Sequence, residues 1–292
     1  QHAHASIPTT IGSRAQLLGG RIAPFPGQTT LLDDFAANGY FVAYFSGQDE
    51  SFGARSEEIL SVDAADVFYD ARQDPERNTS TSDTPGHRAV SWKLLNQRVR
   101  EFLESYTGPK PLFLYVNYHD THYPYQHREL DNLLGVEPLP PEEIGPDTAE
   151  AVRDAYANAA ANVDHAIEIL VTDFRKSVSD RDPVIVVTAD HGENLFEDGL
   201  LGHGLTLSRD ETRVPLVVSG LGGDWPEPFA LPDLRGAITS NLSRPTDSPV
   251  AGSPLRPQWV PDPKRRILHL VPDPSRPSLL RLRGVDGSLL YD

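Results

Sequence analysis

Four short apolar runs constrain this chain more than any other feature, because none of them alternates apolar with polar side chains. They are residues 41–45 (FVAYF), 112–118 (LFLYVNY), 184–188 (VIVVT) and 214–218 (VPLVV). A strand with one solvated face shows period-2 alternation, so continuous runs of this length mark strands covered on both faces. Segments of helical period separate them. Residues 30–38 place Leu31, Leu32, Phe35 and Ala36 on one face, with Gly39 at the left-handed stop position. Residues 92–106 repeat the pattern through Leu95, Val99, Phe102 and Leu103. Residues 148–176 predict a long helix with Asp147 as N-cap and a stripe of Val152, Ala155, Ala159, Val163, Ile167 and Leu170. Strands alternating with helices predict an α/β fold, a mostly parallel sheet sandwiched by helices. In such sheets ligands bind beyond the carboxyl ends of the strands. Three polar clusters fall there: Gly47-Gln48-Asp49, His119-Asp120-Thr121-His122 and Asp190-His191.

The 292 residues predict three parts. Residues 1–223 form the α/β core. Residues 224–265, rich in Pro, Ser and Arg, read as an extended crossing segment, and residues 266–292 as a small antiparallel appendage. Its strands are expected at 267–270, 279–283 and 288–291, with Asp286-Gly287 as a hairpin turn. A formal net charge of −16 excludes a general nucleic-acid binder, which needs an excess of Lys and Arg to neutralise phosphates. The chain has no cysteine, which excludes disulfides, thiolate metal sites and catalytic thiols. No apolar run approaches the roughly 20 residues of a membrane helix. The start, Gln1-His2-Ala3-His4, lacks both an initiator Met and a signal-peptide pattern, and reads as a piece of a longer protein. His2 and His4 are expected to be disordered there.

Three clusters can carry chemistry. Asp190-His191 leaves a buried strand and offers a carboxylate and an imidazole to one divalent cation; the dipeptide alone is equally an acidic loop with a stray histidine. Gly192 allows close backbone approach, and His203 follows between two glycines. The 118–125 segment carries His119 and His122, which can bind an anionic oxygen or protonate a leaving group, or can be plain surface histidines. The third cluster, residues 8–21, sets Thr10 four residues before Arg14 at the start of a short helix. That suits a nucleophile facing an anionic ester. A Ser/Thr-rich cap with Arg14 on the surface gives the same spacing.

Taken in order, these segments resemble the sulfatase family of the alkaline phosphatase superfamily. Its nucleophile segment, C/S-x-P-S-R-x-x-L-L-x-G-R, resembles residues 10–21 from Ser13 onward. The helix leading to G-Y-x-T-x-x-x-G-K-x-H resembles Asn38-Gly39-Tyr40 through Ser46-Gly47-Gln48, and the strand with D-x-H-x-P-Y resembles residues 114–125. D-H-G-E stands intact at Asp190 to Glu193, and R-V-P-L at Arg213 to Leu216. The likeness covers residues 5 to 219, and five pieces in order make it specific.

Two departures carry further implications. Thr10 occupies the position where sulfatases carry the Cys or Ser that becomes formylglycine; threonine cannot yield that aldehyde, so no formylglycine is expected. The Lys and His of G-K-x-H are absent, with Gln48 and Ser51-Phe52 in that region. Both changes resemble the threonine-nucleophile branch that includes phosphoethanolamine transferases and lipoteichoic-acid synthases. The resemblance implies one divalent metal ion (Zn, Mn, Mg or Ca) held by Thr10, Asp190 and His191. It implies Thr10 as nucleophile on a phosphoester-type substrate, lipid- or glycan-linked. It further implies that Arg14 supports the reacting oxygens, and that His122, His203 and Gln48 contact substrate. Thr9 is the alternate nucleophile if the register is off by one. The family's first strand, with its own acidic ligand, is expected in an upstream segment of the same protein, and the location is expected to be extracytoplasmic. A sulfate-ester hydrolase and a non-catalytic sulfatase-like domain binding a lipid or protein partner are the rival expectations.

Overall fold

The direction in which each strand runs decides where the polar clusters gather. The structure is a computed structural model that describes residues 2–53, 55–80, 87–178, 182–197, 199–221, 225, 228–240, 242, 269–273, 276–283 and 289–291. Contacts divide the chain into two units. One is Gln1–Gly39 with Glu58–Ser61 and Pro183–Asp292; the other is Tyr40–Glu57 with Val62–Asp182.

In the first unit, β1 (His2–His4), β5 (Ile185–Thr188), β8 (Arg213–Ser219) and β9 (Phe229–Ala230) form a sheet in the order β5-β8-β1-β9. β8 runs antiparallel to both β5 and β1, whereas β9 is parallel to β1. The fourth predicted strand is present, but against the direction of its neighbours, so this sheet is mixed. The cause lies in residues 189–212, which hold the hairpin β6 (Asn194–Leu195) and β7 (Leu201–Gly202) and the short helix α6 (Arg209–Thr212). They leave from the carboxyl end of β5 and re-enter at that same end. A parallel return needs a crossover along the whole strand. β1 opposes β8, with His4 facing Arg213, so its carboxyl end points the same way. Helix α1 (Thr10–Gly19) starts from there. The start of α1 and the 189–212 excursion therefore share one end of the sheet. His2 and His4, expected to be disordered, lie in a strand whose Ala3 is fully buried.

Helix α1 ends at Gly20, which takes the left-handed conformation (φ 65°). α2 (Leu31–Ala37) opens on a capping box between Thr30 and Asp33. α7 (Asp233–Thr239) packs on α1, burying Leu231, Leu234 and Ala237. Arg235 fastens the group: it donates to the carbonyls of Gly19 and Thr29 and pairs with both carboxylate oxygens of Asp34. The start of the 224–265 stretch is thus a strand and a helix rather than an extended crossing. Its three-residue apolar spacing is masked by the Pro-rich composition around it. Residues 243–265 lie outside the described residues. So does the predicted Asp286-Gly287 turn, although β10 (His269–Asp273), β11 (Arg276–Arg283) and β12 (Leu289–Tyr291) form an antiparallel sheet.

In the second unit β2 (Phe41–Ser46), β3 (Val67–Tyr69) and β4 (Leu112–Asn117) form a parallel sheet in the order β3-β2-β4. A short helix, α3 (Ser56–Leu60), follows β2 in the chain. Central β2 is buried from Val42 onward, while β4 is half-buried throughout because it is the last strand of its sheet. β5, at the end of the other sheet, is half-buried for the same reason, and β8 alternates buried with exposed positions. Continuous apolar sequence therefore marked strands correctly but overstated their cover. α4 (Trp92–Ser105) starts at Ser91, and α5 (Ala149–Ser177) at Thr148 rather than at Asp147. The two helices pack together, with Trp92 Nε1 bonded to Asn162 Oδ1 and Asn96 Nδ2 to the Ala166 carbonyl. Ala43, Phe45, Val90, Leu95 and Val99 form the core between sheet and α4. Among the described residues no helix is long and apolar enough to cross a membrane.

Buried Asp74 ties α4 to this sheet, accepting from Arg98 Nε at 2.9 Å and from the Tyr69 hydroxyl at 2.8 Å. The Arg98 hydrogen bonds hold the Asp74 pKa below the usual carboxylate value, against the opposing effect of burial. A depressed folded pKa stabilises above the unfolded value of roughly 3.9 and is lost as pH falls through the folded one. Asp74→Asn is expected to lower unfolding free energy at pH 7 by roughly 1.5–3 kcal/mol. Its stability should also fall less steeply than the parent's below about pH 4. Denaturant melts of both proteins across that range measure the difference.

Candidate active site

Gly192 sets the geometry. Its N–H donates to the Glu211 carbonyl at 2.8 Å, and a Cβ built on it would lie 1.9 Å from the Asp210 carbonyl oxygen. Only a residue without a side chain allows the turn after β5 to press on the backbone of α6. The contact brings His191 into register. Its Nδ1 lies 2.8 Å from the Gly192 carbonyl, which can only accept, so Nδ1 carries the hydrogen and Nε2 presents its lone pair. Nε2 is 3.3 Å from Thr10 Oγ1 and 3.6 Å from Asp190 Oδ2. Ser13, one turn into α1, donates its hydroxyl to the Asp190 carbonyl.

Both separations from His191 Nε2, to Thr10 Oγ1 and to Asp190 Oδ2, lie in the range two ligands of one divalent cation would have. Two ligands each about 2.0–2.1 Å from a tetrahedral ion lie roughly 3.3–3.4 Å apart, close to the two separations measured here. A hydroxyl, a carboxylate and an imidazole fixed by its second nitrogen form a hard-to-borderline donor set. His191 also belongs to a second group, with Glu193 and His203, whose ligand atoms all lie within 4.8 Å of one another. Among the described residues it is the one His/Cys/Asp/Glu group with metal-holding spacing.

His203 rests against His191, ring centroids 3.9 Å apart, and its Nδ1 is 2.8 Å from Glu193 Oε2. Burial by itself lowers the His203 pKa. The Glu193 hydrogen bond and the charges of Glu193, Asp190 and Glu211 outweigh it and raise the pKa above the ordinary histidine value. The loop carrying His203 is held from behind. Fully buried Glu211 accepts from the backbone N–H groups of Leu205 and Thr206 and from the Thr206 hydroxyl. Gly204 (φ 73°) packs on Thr9, whose Cγ2 would lie 2.9 Å from a Cβ at that position. Thr9 itself is the N-cap residue of α1, wedged between Gly12 and Gly204, while Thr10 Oγ1 is the hydroxyl that faces His191.

Thr10, Asp190, His191 and His203 thus converge within the first unit. Arg14 belongs to the same unit, fully buried in α1 rather than on the surface. His122 and Gln48 belong to the second unit. His122 is partly exposed and directs Nδ1 to the Tyr123 carbonyl at 3.0 Å. Gln48 is buried, bridged through its backbone to Ala89, and its Oε1 lacks a hydrogen-bond partner among the described residues. Glu193 and Glu211 were not singled out from sequence. Glu193 stood two residues past His191 inside the D-H-G-E segment, but nothing in the sequence pairs Glu211 with the 205–206 backbone.

The sequence model of the family described as Sulfatase matches residues 2–227. The chain belongs to the sulfatase family. Among solved structures it is similar to the C-terminal periplasmic domain of EcEptC from Escherichia coli in complex with Zn. That match has 17% identity and a TM-score of 0.63, over 95% of this chain and 79% of that one. It is also similar to the lipoteichoic acid synthase LtaP from Listeria monocytogenes, at 14% identity and a TM-score of 0.58, over 100% of this chain and 78% of the other. A third is the phosphonate monoester hydrolase of Agrobacterium radiobacter, at 16% identity and a TM-score of 0.57, over 81% and 65%. At these identities the likeness is one of fold. No curated protein sequence matches the chain.

Replacing Gly192 with Ala is expected to destabilise the first unit by about 1–3 kcal/mol, because a backbone carbonyl rather than a flexible side chain occupies the space. Denaturant titration measures the loss. An unchanged midpoint would mean that the turn does not press on residue 210.

Proposed function

We propose that this chain is a metal-assisted phosphoester hydrolase or transferase with Thr10 as its nucleophile. The observation that carries the proposal is Thr10 Oγ1 at 3.3 Å from His191 Nε2, with the Asp190 carboxylate 3.6 Å from that same nitrogen. Thr10, Asp190 and His191 would hold the cation, with Glu193 and His203 beside them. When bound, the cation supplies positive charge that lowers the Thr10 hydroxyl pKa and offsets the charge of the ester.

Thr10 occupies the first position of α1, where unpaired backbone N–H groups and the helix dipole favour an incoming anion. Its Oγ1 forms the bond to phosphorus and its proton passes to solvent, while the bond from phosphorus to the leaving oxygen breaks. His203, biased toward its protonated form, gives a proton to that oxygen. Water or an acceptor hydroxyl then releases the phosphoryl group from Thr10, which separates hydrolase from transferase. Arg14 would brace α1 from its buried position. Neighbours of this fold include periplasmic domains, which supports an extracytoplasmic location for this chain.

Thr10→Ala is expected to reduce turnover of an activated phosphodiester at least roughly a thousandfold, and Thr10→Ser to retain a measurable part. Turnover unchanged in Thr10→Ala ends this mechanism. Faster turnover of a matched sulfate ester would favour a sulfate-ester hydrolase. Elemental analysis is expected to find a divalent metal in the parent and to find it depleted in Asp190→Ala. Metal absent from both, with no turnover, would favour a non-catalytic binding domain.

A further inference from the structure

In the second unit two consecutive leucines stand in water on a loop that buried polar groups hold in place. Leu133 is 47% exposed and Leu134 55%. Asn158 and Asn162, both buried in α5, spend their amides on this loop. Their Nδ2 groups donate to the Asp131 carbonyl at 3.0 and 2.8 Å. In return Asp131 N–H donates to Asn162 Oδ1 at 3.0 Å, and Leu134 N–H to Asn158 Oδ1 at 3.1 Å. Asn132 closes the tip, accepting from the Val136 N–H at 2.8 Å and donating to the Val136 carbonyl at 3.0 Å. Gly135 between them takes the left-handed conformation (φ 68°) that this turn requires. Beyond the tip Leu139 is buried, its N–H bonded to Gln126 Oε1 at 3.2 Å. Single exposed leucines are ordinary, but a pair on a loop ordered in advance offers contact at a reduced entropy cost.

Charge around the tip has one sign. Between Arg128 and Arg153 the sequence has seven Asp and Glu and no Lys, Arg or His. Two of the seven are neutralised locally, Glu129 by Arg77 and Asp131 by Lys93. The other five, from Glu137 to Glu150, are exposed and form no ion pair among the described residues. Glu137 follows Leu134 by three positions. Asp154, also exposed, lies one helical turn before Asn158 on the same face of α5, the face that receives the loop. Of the flanking cations, Arg128 donates to the Asn78 carbonyl at 3.3 Å, and Arg153 lies roughly 140° round the helix from Asn158. The two leucines therefore sit among carboxylates that no neighbouring cation balances.

We infer that Leu133 and Leu134, with the carboxylates of Glu137 and Asp154, form a docking surface for a basic amphipathic protein segment, one that carries Lys or Arg beside an apolar stripe. Charge complementarity selects this occupant. A second copy of the chain would bring identical carboxylates together across a two-fold axis, and like charges oppose that contact. An anionic bilayer is repelled in the same way, and a neutral bilayer gives the carboxylates nothing to pair with. An anionic ester is repelled as well, so the surface is separate from the Thr10 chemistry and does not depend on it.

Fluorescence anisotropy of labelled peptides with the full chain tests this. The probe is a synthetic Lys/Leu peptide whose leucines share one helical face; the controls are the same composition shuffled and an oligolysine of equal charge. The sorted peptide is expected to bind the parent more tightly than either control. Leu133→Ser with Leu134→Ser should weaken that binding about tenfold. Glu137→Gln with Asp154→Asn should weaken it severalfold and flatten its dependence on salt. Thermal melts accompany each variant. All four side chains are exposed, and if the leucine variant does not fold, the charge variant decides. Equal affinity in the folded variants and the parent overturns the docking surface, as does oligolysine binding as tight as that of the sorted peptide. Binding to neutral phosphatidylcholine vesicles, or a concentration-dependent dimer, that disappears in the leucine variant overturns it in favour of a bilayer or a second copy.

Discussion

The close approach of Gly192 to the 210–211 backbone is the contact on which the candidate site depends. It holds the turn after β5 against the residues that lead into β8, so the turn cannot rotate without breaking the entry of a strand. With the turn fixed, the Gly192 carbonyl is placed to take the His191 Nδ1 hydrogen, and Nε2 is left facing Thr10. Ser13 completes the arrangement from the α1 side through the Asp190 carbonyl. Backbone groups make most of these bonds.

Charge explains the rest of the site. Asp190, Glu193 and Glu211 surround two imidazoles, in a chain that already carries sixteen excess negative charges. An anionic ester brought there meets repulsion unless positive charge is supplied. The raised pKa of His203 provides part of it, and a cation on Thr10, Asp190 and His191 would provide the larger part. Glu211 differs from the other two carboxylates. It is saturated by backbone and hydroxyl donors and acts as a brace for the loop that carries His203.

The second unit applies the same device with different residues. Gly47 permits the approach of two backbones, a buried carboxylate anchors an arginine, and imidazoles line the exposed surface. In each unit a glycine at a strand's carboxyl end brings together segments far apart in the chain. This is the general behaviour of α/β sheets, whose loops converge where the strands stop.

Much of this was legible in the residues. Unalternating apolar runs located β2, β4, β5 and β8, helical spacing located α2, α4 and α5, and D-H-G-E together with a distant threonine-led helix named residues that gather in the candidate site. Strand direction was not legible. A run such as Val214 to Val218 carries no sign of its polarity, which here follows from how the 189–212 excursion returns. Nor was cover, because edge strands and central strands share one composition. The Pro-rich surroundings of Leu231, Leu234 and Ala237 hid a helix that Arg235 fastens to α1. Local sequence thus determined which elements form and which side chains can do chemistry, since propensity and residue type are properties of neighbours in the chain. Only the tertiary structure decided that Thr10 faces His191, that Glu211 holds the loop of His203, and that His87 meets His122. Those are contacts between residues from about 6 to about 180 positions apart, and their distances depend on sheet order and backbone packing.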